Sequence, residues 1–204
     1  MRYEIATLDI RLGATPEVVA GIDAAAKTDD SGAVLLGCWI SEIGTLNQIL
    51  VLRSFPDDAS LQIARTRLLN DTNPFGRGDA ITRITFDSYA PFPWAPPPKP
   101  GRYGAVYEIR TYRLKHGGLA PTIAAWEAAM PERLKYSPLT LVMFALDGEP
   151  RFTHIWPFQS LEHRARARAN SVADGAWPPK GGPAWLTGDM RSTIALPAEI
   201  SPLA

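Results

Sequence analysis

The stretch VYEIRTYRLK, residues 106–115, contains YEIRT, which matches YEIAT at residues 3–7. At this offset of 104 residues the alignment continues without gaps to residue 26 and contains eight identities in 24 positions. The matched tyrosine, glutamate and glycine carry more weight than the matched alanines, because alanine is common in any helix. The 204-residue chain is therefore interpreted as two copies of one unit.

Each copy shows the same order of predicted elements: a strand, a helix, two strands, a second helix and a last strand. The first strands are predicted at residues 2–10 and 106–114, and the last strands at residues 80–89 and 190–196. Asp57 and Ser160 can cap the second helices, since their side-chain oxygens accept hydrogen bonds from free backbone N–H groups. This βαββαβ order predicts a ferredoxin-like unit, an antiparallel four-stranded sheet with both helices on one face.

Such a unit leaves the other face of its sheet uncovered. We therefore predict an α+β fold of two tandem ferredoxin-like units whose antiparallel sheets face each other as an α+β barrel. Six prolines between Pro91 and Pro100 indicate a linker, because proline cannot donate the hydrogen bonds of a strand or helix. The predicted divisions are an N-terminal unit at residues 1–90, the linker at residues 91–101 and a C-terminal unit at residues 102–204.

The composition argues against several classes of function. Lys and Arg total 21 and Asp and Glu total 21, which does not favour broad binding to nucleic acid or to anionic membranes. The longest apolar runs, residues 33–40 and 139–146, are far shorter than the roughly 18 residues of a membrane span. The start of the chain lacks the apolar run of a secretory signal, and the single Cys38 permits no internal disulfide. We therefore expect a cytoplasmic protein with a buried, inert thiol.

Several motifs of the second copy together resemble one protein family. They are VYEIRTYRLK with Gly117, Trp126-Glu127, HIWPF at residues 154–158, the helix from Ser160 to Ala169 and ISPL at residues 200–203. This set resembles the NIPSNAP family of the dimeric α+β barrel superfamily, and SYAPF at residues 88–92 extends the resemblance to the first copy. The resemblance implies a ferredoxin-like fold that pairs into a barrel, and a ligand cavity between the paired sheets. The resemblance implies little about which reaction, if any, the protein performs.

The polar face of the second copy's first strand carries the candidate site. Side chains alternate across a strand, so Glu108, Arg110 and Tyr112 share one face. His154 and Trp156 likewise share a face of the third strand. Such groups in an apolar cavity can bind an oxyanion and move a proton, which makes Glu108 and His154 the catalytic candidates. Arg110, Tyr112 and Trp156 are the substrate-binding candidates. The alternative is that Glu108 and Arg110 belong to a structural ion-pair network between the sheets.

No metal and no cofactor are expected. His116, His154 and His163 are the three histidines, and no pair of them has metal-ligand spacing. A haem is the alternative cofactor, and it would need His154 as a neutral imidazole in an apolar pocket. The basic helix segment at residues 163–168 is interpreted as a solvated surface, because its alternating arginines spread around a helix.

Two functions are compatible with these patterns. The first is a protein that binds or transforms a small apolar or aromatic molecule in the barrel cavity. By analogy with the superfamily, its chemistry would resemble that of a cofactor-independent monooxygenase or an isomerase. The second is a non-catalytic protein–protein interaction or scaffold protein that uses the sheet edges and the loop from Trp177 to Trp185. We also expect a homodimer, with no nucleic-acid partner and no membrane span. Whether the chain is an enzyme is left open by the sequence.

Overall fold

The computed structural model describes residues 1–204 and contains both copies of the unit. The elements of the first unit are β1 (Arg2–Ile10), α1 (Thr15–Thr28), β2 (Val34–Ile43), β3 (Gln48–Phe55), α2 (Asp58–Asn70) and β4 (Ile81–Pro91). The elements of the second unit are β5 (Val106–Leu114), α3 (Leu119–Arg133), β6 (Leu141–Ala145), β7 (Arg151–Phe158), α4 (Leu161–Ala173) and β8 (Leu186–Pro197). The predicted βαββαβ order is confirmed in both halves.

The second helix of each unit begins where the sequence places a capping side chain. Asp57 accepts a hydrogen bond from the backbone N–H of Ser60 at 2.8 Å, and Ser160 accepts one from His163 at 3.1 Å. Each cap satisfies a backbone donor that the first helical turn leaves free. The last strand, β8, begins four residues before its predicted start at residue 190. A register shift between β5 and β8 interrupts the alternation there, which hides this part of the strand in the sequence.

The eight strands form one closed antiparallel barrel in the order β1-β3-β2-β8-β5-β7-β6-β4. Each unit supplies four neighbouring strands, and the two units join at two seams. Tyr89 of β4 lies opposite Ala145 of β6 at one seam, and Ser41 of β2 lies opposite Ala195 of β8 at the other. The prediction of two sheets facing each other as an α+β barrel is confirmed. The seams also give every strand a hydrogen-bonded neighbour on both sides.

Large apolar side chains fill one end of the barrel interior. Tyr3 and Ile5 of β1 and Tyr107 and Ile109 of β5 belong to this cluster of 14 buried residues. The other end of the interior holds a cavity of about 360 Å³ lined by three arginines, three carboxylates and one threonine. Because side chains alternate along a strand, the residues between the core positions point out of the barrel.

The helices lie on the outside of the barrel, with one pair on each unit. One apolar cluster with Leu8 and Ile22 joins β1 to α1, and another with Trp126 and Phe152 joins α3 to β7. Both faces of each sheet are therefore covered, one by the barrel core and the other by helices. No helix in the structure combines the length and the apolar character needed to cross a membrane.

The proline-rich linker packs against the second unit. Phe92 is fully buried in the cluster under α3, and Trp94 Nε1–H donates to the carbonyl oxygen of Ile123 at 3.2 Å. Beyond the prolines, Gly101 forms a bridge with Leu203 near the end of the chain. The linker thus ties the two units together, and the division of the chain at residues 90 and 102 remains a prediction.

Candidate functional site

The polar face of β5 lies between the sheet and its helices. Glu108 accepts a hydrogen bond from Arg164 of α4, and Tyr112 packs against the apolar cluster under α3. The expectation that this face looks into the space between the two sheets is therefore wrong. The inward positions of β5 are Tyr107 and Ile109, which complete the barrel core, so alternation directs their neighbours outward.

Glu108 is fully buried at the centre of an ion-pair network. Its Oε1 accepts hydrogen bonds from Arg110 at 2.9 Å, from Ser192 at 2.9 Å and from Arg164. Arg168 lies 3.7 Å from its other oxygen. Burial would raise the pKa of Glu108, but the Arg164 hydrogen bond and the charges of Arg110 and Arg168 lower it below the ordinary value. Glu108 is thus a carboxylate at neutral pH, and its network joins the sheet to α4 rather than sheet to sheet.

Arg133, the last residue of α3, is a buried cation without a carboxylate partner. It donates to Ser137 Oγ at 2.9 Å and lies over the rings of Trp156 and Trp177, 4.3 and 5.7 Å from their centroids. Burial, and then the nearby charge of Arg168, lower the pKa of Arg133 to about 10, so the group stays charged at neutral pH. A buried charge without a counter-charge is costly, which makes this part of the site receptive to an anion.

His154 is 2 % exposed on β7 and is neutral. Trp156 Nε1–H donates to its Nδ1 at 2.6 Å, and this hydrogen bond assigns the ring proton to Nε2. Burial, followed by the charge of Arg110 and of two further arginines, lowers the pKa of His154 well below its ordinary value. Nε2 has no hydrogen-bond partner in the protein. The role of Glu108 and His154 as proton carriers stays a prediction.

The residues around His154 do not fit a haem. The ring centroids of Trp126 and Tyr112 lie 4.8 and 4.9 Å from that of His154, and Phe152 stacks on it at 5.5 Å. A haem iron needs an open approach to the ligating nitrogen and a slot for the porphyrin plane. These three rings occupy that space.

A cavity of about 230 Å³ lies between β5, α3 and the loop that follows α4. Arg110 and Tyr112 line it from β5, and Thr122 and Trp126 line it from α3. The loop supplies Trp177 together with three prolines and a glycine. Thr122 is 1 % exposed and its hydroxyl has no hydrogen-bond partner, so a polar donor faces a mainly apolar space.

The structure divides the five predicted site residues into two layers. Arg110 and Tyr112 line the cavity, and the Arg110 guanidinium lies 5.0 Å from the centroid of the Tyr112 ring. Glu108, His154 and Trp156 do not line it and lie beneath this layer, where they hold the arginines and the aromatic rings in place.

Four residues of the helices belong to the site but were not predicted as site residues from the sequence. The interpretation of the basic segment on α4 as a solvated surface is wrong for Arg164 and Arg168, which reach Glu108. These two arginines are four residues apart and share a helix face, which was the signal that could have found them. Trp126 follows Thr122 by four residues, so the cavity-lining face of α3 also obeys helical spacing.

The first unit repeats the buried glutamate but not the rest of the site. Glu4 is fully buried and pairs with Arg53 of β3 and with Arg65 of α2, the latter at 2.8 Å. The glutamate–arginine link between first strand and second helix is therefore common to both units. Ala6 and Leu8 stand where the second unit has its arginine and tyrosine, so the charged and aromatic cavity belongs to the second unit.

The sequence and the fold have recognisable relatives. The NIPSNAP family model matches residues 3–96 and 107–202, which cover both units. A protein of Dictyostelium discoideum described as "Protein NipSnap homolog" is 29% identical over 157 residues, which span 73% of this chain and 68% of that protein.

Two solved structures share the complete architecture at low sequence identity. A putative monooxygenase from Lactobacillus acidophilus superposes with a TM-score of 0.68 at 10% identity, covering 96% of this chain and 93% of that one. An anthrone oxidase-like protein superposes with a TM-score of 0.68 at 10% identity, covering 97% and 91%. These similarities support the fold and do not transfer an activity.

Proposed function

Because the chain belongs to the NIPSNAP family, whose model matches both units, we propose a function that its barrel fold can house: binding of a small aromatic or apolar anion. The site is the 230 Å³ cavity of the second unit, between the sheet and α3. Its size suits a ligand of about one ring, since cavities for drug-sized molecules start near ~300 Å³.

The observation that carries this proposal is the excess of positive charge beside an aromatic cavity. Arg110, Arg164 and Arg168 share the single carboxylate of Glu108, and the buried Arg133 has no carboxylate partner. An anionic group on the ligand would supply the missing counter-charge in a site with little water, where electrostatic attraction is strong.

Each cavity residue has a role in this proposal. Arg110 pairs with the anionic group of the ligand, and the free hydroxyl of Thr122 donates a second hydrogen bond. Tyr112, Trp126 and Trp177 pack against the apolar body. A reaction of the cofactor-independent oxygenase or isomerase type is an extension of this proposal, with Glu108 and His154 as proton carriers.

The alternative, a scaffold that binds partners through its sheet edges, finds less support. All eight strands already have two hydrogen-bonded neighbours, so the barrel presents no open edge for another chain. For the same reason, the homodimer that we propose as the assembly would form through helices or loops.

The test compares two probes that differ in charge, benzoate and benzamide, by calorimetric titration at neutral pH. We expect benzoate to bind at least about tenfold more tightly than benzamide, because only benzoate has a charged carboxylate to accept the hydrogen bond from Arg110. Arg110→Met removes this preference, and Thr122→Val weakens the binding of both probes. Arg166→Met, which alters an exposed arginine on α4, is the matched control. Equal binding of the two probes, or a preference that survives Arg110→Met, would refute the proposed function.

A further inference from the structure

The first unit also contains a cavity between its sheet and its helices, and it is larger than the cavity of the second unit. This cavity measures about 480 Å³, roughly twice the volume found in the second unit. Its lining includes Ile22, Leu35, Val51, Arg53, Leu68 and Phe75.

Residues at matched positions explain why this space is open in the first unit and filled in the second. Ile22 stands where the repeat alignment places Trp126. Val51 lies opposite Ala6 of β1 as His154 lies opposite Arg110 of β5, so these two positions also match. In the second unit these rings fill the space between sheet and helices. In the first unit the smaller aliphatic side chains leave it open, with mainly apolar walls.

Arg53 gives this apolar cavity one directional polar group. The residue is 7 % exposed, and one of its terminal nitrogens pairs with the buried Glu4. Its Nε–H has no acceptor in the protein. A buried donor without an acceptor costs free energy, which an acceptor oxygen on a ligand would recover.

The charges that line this cavity are balanced, unlike those of the second unit. Three arginines are matched by three aspartates: Arg53, Arg67 and Arg77 against Asp29, Asp30 and Asp71. Arg67 and Asp30 also form an ion pair with each other. A ligand with a net charge would upset this balance, so the cavity favours an uncharged molecule.

One end of the cavity is closed by a tight contact between backbones. Gly21 of α1 lies so close to the carbonyl group of Phe75 that an added Cβ would overlap its oxygen. Phe75 itself has a φ of 55°, a conformation that non-glycine residues rarely adopt. The turn at residues 74–76 is thereby held against α1 as a fixed wall.

We propose that the first unit is a second binding site, specific for an uncharged, elongated apolar molecule that carries a carbonyl oxygen. The apolar body lies along Ile22, Val51 and Leu68, and the carbonyl oxygen accepts the free hydrogen bond of Arg53 Nε–H. This site is separate in place and in ligand charge from the site proposed for the second unit, and neither proposal depends on the other.

The test is a titration of the full chain with 2-octanone, followed through the side-chain Nε–H signal of Arg53 by ¹H–¹⁵N NMR. We expect that signal to shift and saturate, and octanoate to bind at least about tenfold more weakly than the ketone. Ile22→Trp introduces the second unit's side chain at the matched position, fills the cavity and abolishes the shift. If the Ile22→Trp protein does not fold, Ala25→Leu replaces it in the test. Ala25 is half-buried on α1 and lines the same cavity, so the larger leucine side chain narrows the cavity.

Arg110→Met, in the second unit, is the control and leaves the titration unchanged. An unshifted Arg53 signal would overturn the proposal. So would tighter binding of octanoate, or binding that survives both cavity-filling variants. Shifts confined to Tyr112 and Trp126 would place the ketone in the second unit and overturn it as well.

Discussion

Glu4 and Glu108 occupy the same position in the two units, and both are fully buried where the first strand passes beneath the second helix. Each is joined to an arginine of that helix, Glu4 to Arg65 and Glu108 to Arg164. The two halves have diverged, yet each has a carboxylate at this position and an arginine of the second helix as its partner. We infer that this ion pair holds the helix to the sheet. The halves differ in what surrounds this link, and the differences create two unlike cavities.

The first prediction concerns the stability that this link provides. Glu108→Gln leaves several arginines without their buried counter-charge, and we expect the free energy of unfolding to fall by about 3–5 kcal/mol. Urea denaturation measures the change. Glu4→Gln is the matched variant in the first unit and is expected to destabilise as well. A Glu108→Gln protein as stable as the wild type would contradict the network described here.

The second prediction is a pH dependence that arises from His154. Burial and the neighbouring arginines lower its pKa in the folded protein, so below about pH 6.5 the unfolded chain binds a proton that the folded chain does not. Stability is therefore complete above that pH and is lost as the pH falls, by up to about 1.4 kcal/mol per pH unit. His154→Gln should flatten this part of the profile, measured by urea denaturation between pH 7 and pH 5. An unchanged slope would show that His154 is protonated in the folded protein.

The third prediction concerns the contact between Gly21 and Phe75. An alanine in a helix usually stabilises it by about 1 kcal/mol relative to glycine. At Gly21 the added Cβ meets a backbone oxygen, so we expect Gly21→Ala to lower the free energy of unfolding by about 1–2 kcal/mol instead. Gly188→Ala is the control, because nothing lies within 4 Å of its added Cβ. Equal stability of the two variants would mean that the turn at 74–76 moves freely.

The fourth prediction concerns the single thiol. Cys38 is fully buried in β2, and burial raises the pKa of its thiol to about 12. The thiolate is the reactive form, so we expect no labelling by a disulfide-exchange reagent at pH 8 until the protein is unfolded. Stoichiometric labelling of the native protein within minutes would contradict the packing around β2.

The repeat and the order of elements could be predicted because they depend on local patterns. Asp57 and Ser160 cap their helices as expected, and the alternation along β5 correctly placed Tyr107 and Glu108 on opposite faces. Alternation alone could not decide which face is inside the barrel. Both faces of the sheet are buried, one by the barrel core and the other by the helices. Neither face could therefore be recognised in the sequence as a solvent-exposed surface.

The candidate site was predicted only in part because its arginines come from separate elements. Arg110 was found from the strand pattern, whereas Arg164 reaches Glu108 and Arg133 reaches Trp156 only after α4 and α3 pack on the sheet. The cavity of the first unit was also missed. It is created by small side chains at Ile22 and Val51, and an absence of bulk leaves no motif in a sequence.

The most direct test of the central claim is to follow the indole Nε1–H signals of the six tryptophans by NMR while benzoate is added. Trp126 and Trp177 line the proposed cavity of the second unit, and Trp39 lies in the barrel core. We predict that the signals of Trp126 and Trp177 shift and saturate while that of Trp39 stays in place. A shift of Trp39 with Trp126 and Trp177 unmoved would place the ligand inside the barrel and contradict the assignment.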